Sequence, residues 1–135
     1  MIDEKEIRMK KKDYLKGIKD AVGGNRHYIL ELLEIFVKDL PQTLDRLQEL
    51  YNTNRFEEIQ HVAHRVKSTL LWMSLDKAAV VAAELEKCSR ELRHKDEMKF
   101  HLNDFVEECR EPLEHLTAIR NDLRSKLNAG ASKTA

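Results

Sequence analysis

An imidazole, an ammonium and a small hydroxyl side chain occur together in the run Ala63-His64-Arg65-Val66-Lys67-Ser68. An unperturbed imidazole titrates at about pH 6.5, and its neutral form is a competent nucleophile near neutrality. An ammonium one helical turn further on is a point charge suited to anionic oxygens. Whether these groups can act depends on the face they occupy. Over Asn54–Met73 the apolar residues are Phe56, Ile59, Ala63, Val66, Leu70 and Met73. Gaps of three and four trace one stripe on a helix that turns about 100° per residue. Counted from His64, the stripe lies at roughly 180° to 280°, so His64 points away from the core. Glu57, Gln60, His61, Lys67, Ser68 and Leu71 fall within about 60° of it. The pattern predicts an exposed, reactive imidazole.

The elements that must carry this surface are helices. The 135 residues fit one domain with a proper core. Four glycines and two prolines punctuate the chain, and no segment alternates in the manner of a strand. A short first helix is predicted from about Lys11 to Ala21, ending at Gly23-Gly24. Asn25 then caps a long second helix with the stripe Ile29, Leu33, Phe36, Leu40, Leu44, Leu47 and Tyr51. The apolar phase carries across Pro41, which predicts a kink rather than a domain boundary. Asn54 is expected to cap the third helix, and Ser74 the fourth, whose stripe is Ala78, Val81, Ala82, Leu85, Cys88 and Leu92. A fifth starts near Asp96 and carries Met98, Leu102, Phe105, Cys109, Leu113, Leu116 and Leu123, with Pro112 a second expected kink. The fold class expected is all-α: an antiparallel four-helix bundle with a short additional N-terminal helix. Residues 1–127 are assigned to this single domain and 128–135 to a small, polar, disordered tail.

Composition narrows the function. Twenty-four basic residues balance twenty-four acidic ones, which argues against a nucleic acid partner. The run Lys10–Lys12 is too short to change this and reads as a solvated face. No run of 18 apolar residues spans a membrane, and the N-terminus lacks the apolar core of a secretory signal. Cys88 and Cys109 lie on apolar stripes and are expected to be buried thiols. These features together predict a cytoplasmic protein. A monomer is expected because the stripes already use the apolar residues, and the initial Met and polar tail favour a free-standing module.

The run around His64 resembles the Ala-His-x-Leu-Lys-Gly motif of histidine-containing phosphotransfer (HPt) domains. Upstream, Leu32-Leu33-Glu34-Ile35-Phe36-Val37-Lys38-Asp39-Leu40-Pro41 is similar to the family's second helix. Downstream, Leu85-Glu86 sits where the family often has Leu-Glu. The resemblance extends over roughly Tyr14 to Leu123. It implies a phosphorelay intermediate that takes a phosphoryl group on His64 from a receiver-domain aspartyl phosphate and passes it to another receiver. Lys67 would support the phosphate charge, and Gln60, His61, Arg65, Ser68 and Leu71 would form the docking surface. Response regulators or a hybrid histidine kinase would supply the receivers. No cofactor is expected on this chain, Mg²⁺ belonging to the receiver, and no ATP site of its own. Ser68 and Ser74 stand where the family has glycine, and Thr69 where it has serine.

Exposed Leu71 fits a docking patch, which Tyr28 and Leu32 would extend, whereas Trp72 is expected to pack under the turn into the fourth helix. Two rival functions remain at this stage. A non-catalytic helical adaptor explains the bundle but leaves His64, Lys67 and Ser68 a coincidence. A metal-binding bundle would use the Glu-x-x-His pairs Glu58–His61 and Glu91–His94, yet His61 lies on the outer face and the second and fifth stripes lack inward glutamates.

Overall fold

The computed structural model describes residues 14–91 and 95–133. They form five helices: α1 over residues 14–22, α2 Arg26–Asn52, α3 Phe56–Trp72, α4 Asp76–Arg90 and α5 Lys95–Lys133. No strand occurs among the described residues, and none of their helices is long and apolar enough to cross a membrane. Each long helix packs on its neighbours in a closed circuit: α2 on α3, α3 on α4, α4 on α5 and α5 back on α2. This is the all-α bundle expected from the stripes.

Those stripes form one core. Ile29, Leu33, Phe36, Leu40 and Leu47 of α2 are buried with Ile59, Ala63, Val66 and Leu70 of α3. Leu85 and Cys88 of α4 and Met98, Leu102, Phe105, Cys109 and Leu116 of α5 complete it. Leu92, the end of the predicted fourth stripe, and His94 lie outside the described residues. α2 continues through Pro41 and α5 through Pro112 without a break. α1 seals one end, with Ile18 fully buried and the Tyr14 ring stacked on His115 at 5.5 Å. Arg124 reaches from the far part of α5 to the Glu34 carboxylate of α2 at 2.7 Å.

Asn25 caps α2 as expected, its side chain accepting from the backbone N–H of His27 and Tyr28. The next two caps differ. Asn54 and Ser74 do not cap α3 and α4; Arg55 and Leu75 occupy the N-cap positions and make no side-chain cap bond. Asn54 and Ser74 instead sit at positive φ, 59° and 61°. The following N–H groups reach back five residues, Arg55 to the Leu50 carbonyl at 2.9 Å and Leu75 to Leu70 at 2.8 Å. Asn54 and Ser74 themselves donate to Tyr51 and Leu71. Both turns are therefore Schellman closures of the preceding helix. α5 also runs to Lys133, past the boundary expected at residue 127. The alanines of that segment favour helix, and no proline follows Pro112 to stop it.

Candidate functional site

The α3–α4 pair positions the His64 face. α3 and α4 share the most extensive contact in the bundle, and several of the buried residues on these two helices are small. Ala63 on α3 and Ala78, Ala79 and Ala82 on α4 are all buried. Short side chains let two helix axes approach toward the lower end of the usual range of about 8–10 Å. A long side chain at the edge of the α4 stripe then reaches across to α3. Glu86 is that side chain.

Its carboxylate joins the two residues singled out from the sequence. Oε1 lies 2.8 Å from Nδ1 of His64, and Oε2 accepts from Nζ of Lys67 at 2.9 Å. The exposure of the three side chains is graded: 11% for Glu86, 26% for Lys67 and 63% for His64. Burial alone would raise the Glu86 carboxyl. Hydrogen bonds from Lys67 and His64, with their charges, outweigh it and hold the carboxyl below its ordinary range. An ionised carboxylate only accepts, so the hydrogen in the Glu86–His64 contact belongs to Nδ1. The neutral imidazole is thereby fixed in the tautomer whose lone pair is on Nε2, the nitrogen directed away from Glu86.

The structure distributes the other expected site residues around this centre. Gln60, Ser68 and Leu71 share the outward side of α3 with His64; Ser68 Oγ donates back to the His64 carbonyl at 3.4 Å. Leu71 is 54% exposed. His61 and Arg65 turn instead toward α2, where they line an open cleft of about 650 Å³ between α2 and α3. Its apolar lining includes Leu32, Phe36 and Val66. Trp72 also lines this cleft and is 45% exposed, so it does not pack under the turn into α4 as expected. The Schellman turn explains the difference: it points Leu75, not Trp72, into the core. Tyr28 is exposed near the same end of α2.

Lys67 is found bonded to Glu86, a partner that the sequence reading did not assign to it. Glu86 was known there only as half of a Leu-Glu pair. Its role depends on how α4 pairs with α3, although reflecting His64 through the turn residue Ser74 lands two positions from it, at Glu84. Cys88 and Cys109 are buried thiols, as expected, and burial pushes the Cys109 thiol up to about 12. No cluster able to hold a metal ion occurs among the described residues. Glu58 of the first Glu-x-x-His pair is engaged on the surface by Arg46 and Arg55.

Residues 31–101, just over half of the chain, match the Hpt domain family. The chain belongs to that family. The matched region of this Hpt domain takes in most of α2, all of α3 and α4, and the start of α5. It is narrower than the span of roughly Tyr14 to Leu123 over which the sequence resembles the family. No significant match was found among curated proteins or among solved structures. Membership gives the Hpt domain a histidine phosphotransfer role in a two-component phosphorelay, as a phosphoryl carrier that works with receiver domains.

Proposed function

We propose that His64 is the phosphoacceptor of this domain, and that the phosphoryl group is carried on Nε2. The observation that carries the reading is the Nδ1–Glu86 contact at 2.8 Å on a side chain otherwise open to solvent. The Nε2 lone pair attacks the phosphorus of an aspartyl phosphate on a receiver domain. The phosphorus–oxygen bond breaks, the aspartate leaves as a carboxylate, and the Nδ1 hydrogen stays in place. Phosphoryl transfer has a loose transition state with charge on the equatorial oxygens, so catalysis is mainly positioning and charge compensation. Lys67 supplies the compensation from one turn away. The receiver supplies its own aspartate and Mg²⁺. Passing the group to a second receiver is the same chemistry reversed.

The docking surface in this reading is the outward side of α3, through Gln60, Ser68 and Leu71, continued by His61 and Arg65 at the α2–α3 cleft. The carrier acts as a single-domain, cytoplasmic monomer.

Phosphorylated receiver domains would be mixed in turn with wild-type chain, His64→Gln and Lys67→Ala. An acid-labile, alkali-stable phosphate is expected on wild type, none on His64→Gln, and slower labelling of a folded Lys67→Ala. Equal labelling of His64→Gln and wild type would remove His64 from the relay.

A further inference from the structure

Glu86 does more in this arrangement than select a tautomer before the reaction. Once Nε2 carries a phosphoryl group, the ring can exist in two protonation states. With Nδ1 protonated it is a phosphoimidazolium, and cleavage of the nitrogen–phosphorus bond releases a neutral imidazole. With Nδ1 deprotonated the leaving group would be an imidazolide anion, which departs far less readily. A phosphohistidine that loses its second proton therefore holds its phosphoryl group and stops relaying.

We infer that Glu86 keeps Nδ1 protonated while Nε2 is phosphorylated, making it the positioning residue for the donation half of the relay as well as for acceptance. The inference rests on His64 being the phosphoacceptor. The geometry supports it in two ways. Among the described residues the carboxylate is the sole hydrogen-bond partner of Nδ1, and it is nearly buried, so water competes poorly for the contact. Its second oxygen is held by Lys67, the one partner that has somewhere else to go. Lys67 lies one turn from His64 and keeps partial access to solvent, so it can exchange Glu86 for the oxygens of an arriving phosphoryl group. Glu86 then keeps its full negative charge for the phosphoimidazolium at the moment that ring becomes cationic.

Among the described residues, the side chains bonded to the Glu86 carboxylate are Lys67 and His64, both on α3. On α3 Glu57 is a further titratable group of the outward face and His61 turns toward α2, and on α4 Arg90 follows one turn on. All three are exposed and therefore screened. In the donation step the electron pair of the nitrogen–phosphorus bond returns to Nε2, a new oxygen–phosphorus bond forms at the receiver aspartate, and Nδ1 keeps its hydrogen. No other proton or co-reactant is needed.

The test uses the full chain loaded with phosphoramidate, which phosphorylates imidazole without a receiver. Donation from the purified phosphoprotein to a receiver domain is followed by quenched flow across pH 6–9 for wild type and Glu86→Gln. Gln still accepts from Nδ1–H, so orientation survives and only the charge is lost. The alkaline fall in donation is expected to move down by about one pH unit or more in Glu86→Gln, as loss of an opposite charge at contact distance predicts. That amounts to roughly tenfold slower donation on the alkaline side, with the two rates converging at the acid end. Superimposable profiles overturn the inference and leave His64 as acceptor untouched. Should Glu86→Gln fail to fold, the wild-type protein alone decides by ¹⁵N spectroscopy of its phosphorylated ring. A protonated Nδ1 at pH 8 supports the inference, and a deprotonated one overturns it. Phosphate found elsewhere than on His64 overturns this inference and the function on which it rests.

Discussion

Asn54 and Ser74 hold the same backbone conformation at equivalent points of successive turns, φ 59° after α2 and 61° after α3. Each turn closes through one bond that reaches back five residues and one that reaches back three. The two residues do not meet this demand equally. Asparagine is among the few residues that visit the left-handed region readily, whereas most others give up about 1–2 kcal/mol there.

Ser74→Gly should therefore stabilise the bundle by roughly 0.5–1 kcal/mol, after allowing for the greater chain entropy of glycine when unfolded. Asn54→Gly should change stability by no more than a few tenths. Paired urea titrations measure both. A loss of stability in Ser74→Gly larger than in Asn54→Gly would show that the φ at Ser74 carries no strain.

Gly17 explains why α1 can lie over that same turn. A β-carbon built there would stand 2.6 Å from the Met73 carbonyl oxygen and 2.9 Å from the Ser74 β-carbon. Gly to Ala within a helix ordinarily gains about 0.5–1 kcal/mol. Here the clash is with backbone, which cannot turn aside. Gly17→Ala is expected to lose roughly 1–3 kcal/mol instead, seen as a lower Tm at unchanged helix content. A rise in Tm would mean that α1 is not packed against the α3–α4 turn.

The helices and their inward faces were legible because apolar spacing reports them directly, and because His64 on the wrong side of such a stripe stands out. The caps were not. Asn and Ser serve both as N-caps and as turn residues, and spacing does not say which use applies. Trp72 was misjudged for the same reason, since the turn type decides which residue beside it enters the core. Glu86 was out of reach for a different one. Its neighbours in sequence mark only the edge of a stripe, and its partners lie nineteen and twenty-two residues away on another helix. Only the register between α3 and α4 brings them together.

The depressed Glu86 carboxyl also links the site to acid stability. Folding lowers its proton affinity below the ordinary value of 4.5. Its stabilising contribution is thus fully present above that value and is lost as the pH falls through the lower, folded one. Glu86→Gln should make the acid limb of the stability profile shallower below about pH 4.5, with little change in its slope between pH 6 and 8. Tm measured at half-unit intervals would test this. Parallel curves for the two proteins over the acid range would mean that other carboxylates carry the whole effect.

Trp72 is the sole tryptophan in the chain and lines the α2–α3 cleft beside the outward face of α3. Exposed aromatic side chains at the edge of a cleft are common anchors of protein interfaces, because they bury a large area at small entropic cost. With Ile35 and Leu71 each more than half exposed, this end of the molecule would offer a receiver an apolar contact next to His61 and Arg65. Trp72→Ala should weaken receiver binding by roughly tenfold or more, about 1.4 kcal/mol, with helix content unchanged and Tm lowered by only a few degrees, since the ring is about half exposed. In the wild-type protein the tryptophan emission should shift to shorter wavelength as a receiver covers the ring, which gives a binding titration without a label. Should the emission stay constant while binding is evident by calorimetry, and Trp72→Ala bind as tightly as wild type, the receiver would be approaching His64 from the α4 side.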